Sequence, residues 1–413
     1  MTGKRLLAVL SATVLLTACG QTAVAKQSNT DSKNDTGKTT QQSAATADTA
    51  EMFSDRDMLQ TPDLTDAVYL TVSDGRDVTI DQEGIYVLSG KAENVTIFVE
   101  TDDKAKVQLV LKGLDIRNTD MPCIYVKNAD KVFVTSLSDD NSLSVSGSFQ
   151  ADGETGWDAV IYSRDDLVFN GTGTISVSST EHGISGKDDV KITGGVLQIS
   201  CEGSAIKAHE EILIADGDIE IRKSHDGLHA ENSDDNSTGH IYIGGGTINI
   251  TATDDGIHAT ANVRIDEGNI VISAAEGIEG TVIRINGGRI DITASDDGIN
   301  AAHKSSSLNP LVEINGGDVT IAMGAGDTDG VDSNGDITVN GGTISITGQS
   351  TFDCDGTATY NGGTIIENGQ ETNTISNQMM GGRGNRGFMN GQGSMNGQGR
   401  MPGSENRGGI SHH

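Results

Sequence analysis

A short motif of Asp, Gly and one apolar residue recurs between residues 182 and 356 and sets the period of the chain. Its fullest copy is the six-residue stretch that begins at Asp254, and copies return every 21 or 22 residues where no insertion intervenes. Each unit contains two other short apolar segments that alternate like strands and are separated by a Gly-containing turn. Three short strands and three corners per unit predict one coil of a right-handed, single-stranded parallel β-helix, so the predicted fold class is all-β.

The composition agrees with many short strands joined by tight turns. Gly is abundant, at 54 of 413 residues, whereas aromatic residues make up only 3% of the chain. The chain holds 59 acidic and 28 basic residues. This balance excludes a nucleic-acid partner, because phosphate contacts need clustered Lys and Arg. It favours either bound cations or a solvated acidic surface.

The ends of the chain differ in composition from the repeats. Residues 1–19 contain an apolar run that is too short for the roughly 20 residues of a membrane span. They end in a Leu-Thr-Ala-Cys sequence that resembles the lipobox of bacterial lipoproteins. We therefore expect a signal peptide, lipidation of Cys19, and a monomer anchored at the extracellular face of the bacterial cell membrane. Residues 20–51 predict a disordered tether, residues 52–377 the β-helix, and residues 378–413, rich in Gly, Met, Asn and Arg, a disordered tail.

Stacking the repeats aligns acidic residues of successive coils into columns. The first predicted column contains Asp226, Asp255, Glu276, Asp297, Asp329 and Asp355. The second, three residues further on, contains Lys207, His229, His258, Glu279, Asn300 and Asp332. Four more carboxylates precede the first column by one or two residues, namely Asp254, Asp296, Asp327 and Asp353.

Such columns favour calcium. Carboxylates about 4.8 Å apart repel each other by roughly 3 to 4 kcal/mol at an effective dielectric constant of 20. A hard divalent cation removes this repulsion, and calcium is the usual extracellular choice for clustered carboxylate and amide oxygens. We expect Ca²⁺ between the coils, bound by the acidic members of both columns, by the four flanking carboxylates and by Asn300. In the alternative interpretation, Asp-Gly only forms a corner, with Gly supplying a positive φ.

The chain resembles the carbohydrate-binding domain-containing surface lipoproteins of Firmicutes over roughly residues 55 to 370. The resemblance is carried by the lipobox, by the repeats that begin at Asp254 and Asp296, by Asn-Gly-Gly corners and by the Gly/Met tail. It implies a calcium-binding parallel β-helix similar to family-nine pectate lyases. It also implies cell-surface binding of polysaccharides such as cellulose and pectic acid, with calcium ligands on the Asp-Asp-Gly positions.

Three functions remain open at this point. The leading hypothesis is a non-catalytic, surface-anchored polysaccharide-binding protein. A second is a calcium-dependent lyase that acts by β-elimination on uronate polymers, with Lys207 as the base. A Lys in an acidic column keeps its proton, which makes it a poor base and favours an ion-pair role. The third is a structural or adhesive surface protein.

A few other side chains bear on these alternatives. Cys123, Cys201 and Cys354 lie several coils apart, too far for disulfides, and are expected to be separate buried thiols. His229 and His258 occupy the same repeat position, which indicates a solvent-facing ladder more than a transition-metal pair. Trp157 and Tyr162 are candidates either for sugar stacking or for the core.

Overall fold

The structure is a computed structural model that describes residues 52–150, 156–326 and 328–376. The expected signal peptide, lipidated Cys19, tether and tail, as well as Asp327, lie outside the described residues. In the described ranges the regular secondary structure consists of 36 β-strands. No helix within these ranges has the length and apolar character needed to cross a membrane.

The strands are short and evenly distributed along the chain. The first eighteen are β1 (Val68–Thr71), β2 (Val78–Ile80), β3 (Gly84–Glu93), β4 (Ile97–Glu100), β5 (Lys106–Asn118), β6 (Ile124–Asn128), β7 (Lys131–Ser136), β8 (Asp140–Val145), β9 (Ala159–Ser163), β10 (Asp166–Gly171), β11 (Thr174–Ser178), β12 (His182–Gly186), β13 (Val190–Ile192), β14 (Val196–Ser200), β15 (Ile206–Ala208), β16 (Glu211–Ile214), β17 (Asp218–Ser224) and β18 (Leu228–Ala230). The remaining strands are β19 (His240–Ile243), β20 (Thr247–Ala252), β21 (Asp255–Ala259), β22 (Asn262–Ile265), β23 (Asn269–Ala274), β24 (Glu276–Gly280), β25 (Val282–Ile285), β26 (Arg289–Ala294), β27 (Ile299–Ala301), β28 (Leu311–Ile314), β29 (Asp318–Met323), β30 (Asp329–Ser333), β31 (Asp336–Val339), β32 (Thr343–Thr347), β33 (Ser350–Cys354), β34 (Ala358–Tyr360), β35 (Thr364–Glu367) and β36 (Gln370–Thr372).

The strands form parallel stacks in which each coil adds one strand to each side. One stack, which we call the site sheet, consists of β2, β4, β6, β9, β12, β15, β18, β21, β24, β27, β30 and β33. The other two sides are seen, for example, in β22, β25 and β28 and in β23, β26 and β29, all paired in parallel. This is a β-helix-like solenoid. The predicted all-β class and the 21-residue step are confirmed, since Ile257, Ile278 and Ile299 are direct register partners. The right-handed sense of winding stays a prediction.

The apolar residues of each strand point to the interior of the solenoid. Ile257, Ile278 and Ile299 in the site sheet are fully buried, and so are Ile270 and Ile290 on another side. Each such side chain contributes about 1.5 to 3 kcal/mol relative to an exposed position. The residues between them point outward, so the strand alternation fixes which side chains form the outer face of the site sheet.

The Asn-Gly-Gly corners stack on one another through their amide side chains. The Nδ2 of Asn315 donates to Oδ1 of Asn286, Asn340 donates to Asn315, and Asn361 donates to Asn340, at 2.8, 2.7 and 2.7 Å respectively. The second Gly of each corner has a positive φ, for example 86° at Gly317. These corners therefore need Gly for its backbone conformation.

The Gly of the Asp-Gly motif has a different role from the corner role expected for it. Gly256 lies within β21 and has no φ in the left-handed region. A Cβ placed there would lie 2.3 Å from Cγ2 of Ile272 and 2.6 Å from the carbonyl oxygen of Gly277. Gly256 is therefore needed because the core of its own coil and the backbone of the next coil approach it closely.

The described C-terminal end of the solenoid is closed by a hairpin. β36 pairs with β35 in antiparallel fashion, and Asn368 and Gly369 between them have φ values of 51° and 78°. Such a two-residue turn needs positive φ at both positions. The predicted separate thiols are also confirmed, since Cys123, Cys201 and Cys354 are buried and none of the three is in a disulfide.

Candidate metal site

The second predicted column exists as a continuous ladder on the outer face of the site sheet. Its members are register partners in the order Lys207, His229, His258, Glu279, Asn300 and Asp332. The ladder continues at one end with Asp353, the partner of Asp332. At the other end Ser185 pairs with Lys207, and Tyr162 and Tyr125 lie beyond it. The face thus changes from aromatic through basic to acidic along the axis.

The first predicted column is present from Asp226 to Asp329 but does not include Asp355. Asp255 pairs with Glu276, and main-chain hydrogen bonds continue the alignment to Asp297 and Asp329. The register partner of Asp329 is Ser350. Asp355 comes after β33, is exposed, and donates its N–H to the carbonyl of Ser333 at 3.0 Å. The predicted position of Asp355 is therefore wrong.

The cause of this error is the choice of register residue in the last coil. Phe352, which is fully buried, takes the inward position held by Val331 in the coil before. Asp353 then points outward beside Asp332, in the second column, five positions later in the motif than expected. The Asp355-Gly356 pair forms the following corner instead. The flanking residues Asp254 and Asp296 are exposed at the rim of the columns.

In the upstream half of the columns, imidazoles neutralise the carboxylates. Nδ1 of His229 lies 2.9 Å from Asp226, whose other oxygen is 2.9 Å from Nδ1 of His225. Burial raises the pKa of Asp226, but the contacts with His229, with His225 and with the hydroxyl of Ser204, which donates to it, outweigh burial and leave the pKa well below its usual range.

One coil further on, His258 lies between two carboxylates. Its Nδ1 is 2.7 Å from Oδ2 of Asp255 and 2.8 Å from Oε2 of Glu279. Burial alone lowers the pKa of His258, but the hydrogen bonds and charges of the two carboxylates outweigh it and raise the pKa to about 9. Lys304, which the sequence did not single out, completes this group with Nζ 2.7 Å from Oε1 of Glu279. It lies in an insertion, where the repeat pattern gives no signal.

The downstream half of the columns has carboxylates without such partners. Burial, followed by the charges of Asp297, Asp329 and Asp353, raises the pKa of Asp332 to about 7. Burial and the neighbouring charges of Glu279 and Asp255 raise the pKa of Glu276 to about 7 as well. These groups resist ionisation because they are close together and partly removed from water.

Four buried oxygen atoms in the same region have no hydrogen-bond partner among the described residues. They are Oδ1 of Asn300, Oγ1 of Thr328, Oδ1 of Asp329 and Oγ of Ser350. Thr328 and Ser350 are almost fully buried, and neither was foreseen from the sequence. All four atoms come from the coils of β27, β30 and β33, next to Asp332. Buried polar groups are rarely left unpaired, so this group of oxygens fits a hard cation.

A family model for carbohydrate-binding domain-containing proteins matches residues 74–330 and, in a second overlapping match, residues 280–373. The chain belongs to the carbohydrate-binding domain-containing family. A curated protein of that description from Acetivibrio thermocellus is 36% identical over 135 residues, which make up 32% of this chain and 46% of the relative. The match therefore spans less than half of that relative. A solved structure of a polysaccharide lyase-like protein from C. thermocellum, in a gadolinium derivative, covers 70% of this chain and 98% of its own, with 22% identity and a TM-score of 0.35.

In this member of the carbohydrate-binding domain-containing family, the aromatic end of the site sheet is not an open stacking surface. Tyr125, Tyr162 and Trp157 are buried together on the outer face, with the ring of Tyr125 5.1 Å from that of Trp157 and 5.6 Å from that of Tyr162. The rings of Trp157 and Tyr162 thus both pack against the ring of Tyr125, and none of the three is available to a flat sugar face. Lys207 lies two strands from Tyr162 in the ladder, between Ser185 and His229.

Proposed function

We propose that this chain is a non-catalytic, calcium-binding protein that binds extracellular polysaccharides, held at the outer face of the bacterial membrane by a lipid on Cys19. Family membership supports carbohydrate binding. The observation that carries the calcium part is the set of buried oxygens without partners beside carboxylates of raised pKa. A divalent cation would satisfy both features at once.

The proposed ligands come from neighbouring coils. Asp297 and Asn300 belong to one coil, and Asp329 and Asp332 belong to the next. Glu276 lies one coil upstream and accepts a hydrogen bond from Nδ2 of Asn300 at 3.1 Å, which turns the amide oxygen of Asn300 away from it. Calcium takes six to eight oxygens, so these side chains leave room for waters or for oxygens of a bound ligand.

We propose uronate polymers of the pectic-acid type as the ligand, in preference to cellulose. A chain of net charge −31 repels a polyanion, so direct contact needs a bridging cation at the acidic end of the ladder. Cellulose-type binding would need exposed aromatic rings, whereas Tyr125, Tyr162 and Trp157 are buried. The basic side chains of Lys187 and Lys207, on neighbouring coils, would support an anionic polymer further along the same face.

The positions of the lysines favour binding over lyase chemistry. Lys207 is four strands from Asn300 in the ladder, which at about 4.8 Å per strand places it roughly 19 Å from the proposed calcium. A base and a cation that act on one sugar residue must lie much closer together. Lys304 is nearer to the proposed calcium. Burial lowers the pKa of Lys304, but its contacts with Glu279 outweigh burial and raise the pKa, so Lys304 is a poor base.

The proposal is tested by retention of the full chain on immobilised polygalacturonate, with calcium and with chelator. We expect retention that depends on calcium and falls at least tenfold in Asp329→Asn, while Asp318→Asn, an exposed carboxylate on another side of the solenoid, behaves as wild type. Circular dichroism in chelator separates lost binding from lost folding. Retention that survives both chelator and Asp329→Asn would contradict the calcium site. Release of unsaturated uronate products would favour a lyase, and no retention in any condition would favour a structural or adhesive protein.

A further inference from the structure

We propose that Asp255, His258 and Glu279 form a second metal site, selective for a zinc-type divalent transition metal. The three ligand atoms Oδ2, Nδ1 and Oε2 come from two adjacent coils and lie within 4.8 Å of one another. All three residues are more than nine-tenths buried. The site is separate from the oxygens around Asn300 and Asp329, and it does not depend on the function proposed above.

The Nδ1 atom of His258 has too few protons for the two carboxylate oxygens beside it. Its Nδ1 carries at most one hydrogen, yet carboxylate oxygens of Asp255 and Glu279 lie 2.7 and 2.8 Å away. A single N–H cannot point well at two acceptors, so one of the two buried oxygens remains poorly served. A dication in the place of that single proton would bind the nitrogen and both oxygens at once.

The preceding coil shows what the same arrangement looks like when it is complete. Asp226 and His229 repeat the spacing of Asp255 and His258, and the two imidazole rings stack with centroids 4.6 Å apart. There, each oxygen of Asp226 has a donor of its own, from His225 on one side and from His229 and Ser204 on the other. The downstream group differs because Glu279 replaces a further imidazole and brings an additional negative charge.

The geometry needs only a small adjustment to hold a metal. Zinc binds imidazole nitrogen at about 2.0 to 2.1 Å and carboxylate oxygen at about 2.0 to 2.2 Å, so tetrahedral ligands lie roughly 3.4 Å apart. Each nitrogen–oxygen separation would have to widen by roughly 0.6 Å, which needs a small rotation of the Glu279 side chain and another of the Asp255 side chain. Lys304 binds the other oxygen of Glu279 at 2.7 Å and would fix its orientation as an outer partner.

The ligand types decide which class of metal is expected. An imidazole nitrogen with carboxylates suits zinc, cobalt and related ions, whereas calcium and magnesium prefer oxygen alone. The three protein ligands leave a coordination position for water or for an oxygen of a bound ligand. The acidic end of the ladder, which offers only oxygens, would bind hard cations instead.

The test is a titration of the chelator-treated full chain with Co²⁺, followed by its visible absorption. We expect one equivalent with ligand-field bands that Zn²⁺ abolishes and that excess Ca²⁺ leaves in place. His258→Gln should weaken Co²⁺ binding at least tenfold. His225→Gln, which changes the other histidine-containing acidic group, should leave it unchanged. Absence of binding by the wild type, or binding lost with His225→Gln instead, would overturn the proposal.

A second measurement covers the case in which His258→Gln does not fold. X-ray absorption of the zinc-loaded wild type should show one imidazole with oxygen ligands in the first shell. Two or more imidazole ligands would assign the metal to histidines elsewhere in the chain, such as His412 and His413. That result would refute the proposal. Polygalacturonate retention of Asp329→Asn reports on the calcium site alone, so each proposal can fail while the other stands.

Discussion

Asp332→Asn should stabilise the metal-free protein. Asp332 lies in the ladder between Asn300 and Asp353, and the carboxylates of Asp297, Asp329 and Asp353 face it. Replacement by the isosteric amide removes a charge that burial and these neighbours disfavour. Most substitutions at a functional residue are expected to be neutral or harmful, so a gain in stability is a specific consequence of the proposed repulsion.

The size of the gain follows from the pKa of Asp332, which is raised from 3.8 to about 7. At 1.36 kcal/mol per pKa unit this corresponds to about 4 kcal/mol for a fully desolvated group. Asp332 is partly exposed, so solvent screening reduces the expected gain to about 1 to 2 kcal/mol. The gain should therefore be measurable but modest.

The gain should depend on pH in a defined direction. Because the pKa of Asp332 is higher in the folded state, the folded protein holds more protons than the unfolded chain between about pH 4 and pH 7. Its stability therefore falls as the pH rises through this window. The advantage of Asp332→Asn should be small near pH 4, grow through the window, and stay constant from pH 7 to 8.

Urea denaturation in chelator, followed by circular dichroism at several pH values, measures this effect. Asp318→Asn is the control, because Asp318 is exposed on another side of the solenoid. Added calcium should stabilise the wild type more than Asp332→Asn, since the variant lacks a proposed ligand. A metal-free Asp332→Asn that is less stable than wild type at pH 8, or equally stable at every pH, would refute the account of this site.

Three further outcomes are expected from the geometry of the coils. Gly256→Ala should lower stability by about 1 to 3 kcal/mol in thermal denaturation, because its Cβ would lie 2.3 Å from a core methyl group, whereas Gly156→Ala, with open space around it, should not. Asn340→Ala breaks two hydrogen bonds between the stacked Asn-Gly-Gly corners, so it should lower the free energy of unfolding by about 1 to 2 kcal/mol in urea denaturation. An unchanged urea midpoint would contradict a stabilising role for these stacked amides. Burial raises the pKa of Cys123 to about 12, so a thiol reagent at pH 8 should modify it only after unfolding.

The sequence was sufficient to predict the coil period and most of the ladder, because both depend on a repeat that the backbone follows. Ile257, Ile278 and Ile299 mark the register directly. The prediction failed at Asp355, where Phe352 took the place of an aliphatic register residue and the Asp-Gly pair was aligned instead. The role of Gly256 was also misjudged, because the contact that requires Gly involves a side chain of the same coil and the backbone of the next.

The division of the columns into two halves was not predictable from spacing alone. The sequence shows a carboxylate in nearly every coil, which suggests uniform repulsion along the axis. In the structure, His229, His258 and Lys304 lie within hydrogen-bond distance of the upstream carboxylates, and Lys304 reaches Glu279 from an insertion outside the repeat. Among the described members of the two columns, the buried side-chain oxygens without a hydrogen-bond partner, those of Asn300 and Asp329, lie in the downstream half.

This division implies that the two halves should respond to ligands independently. Each coil of a solenoid contacts only its neighbours, so the effect of a substitution is expected to stay within adjacent coils. His258 and Asp332 are three strands apart in the ladder, roughly 14 Å at about 4.8 Å per strand. Loading the oxygen site with calcium should therefore leave the cobalt affinity at His258 unchanged, and a strong coupling between the two would mean that both ions share the carboxylate of Glu276.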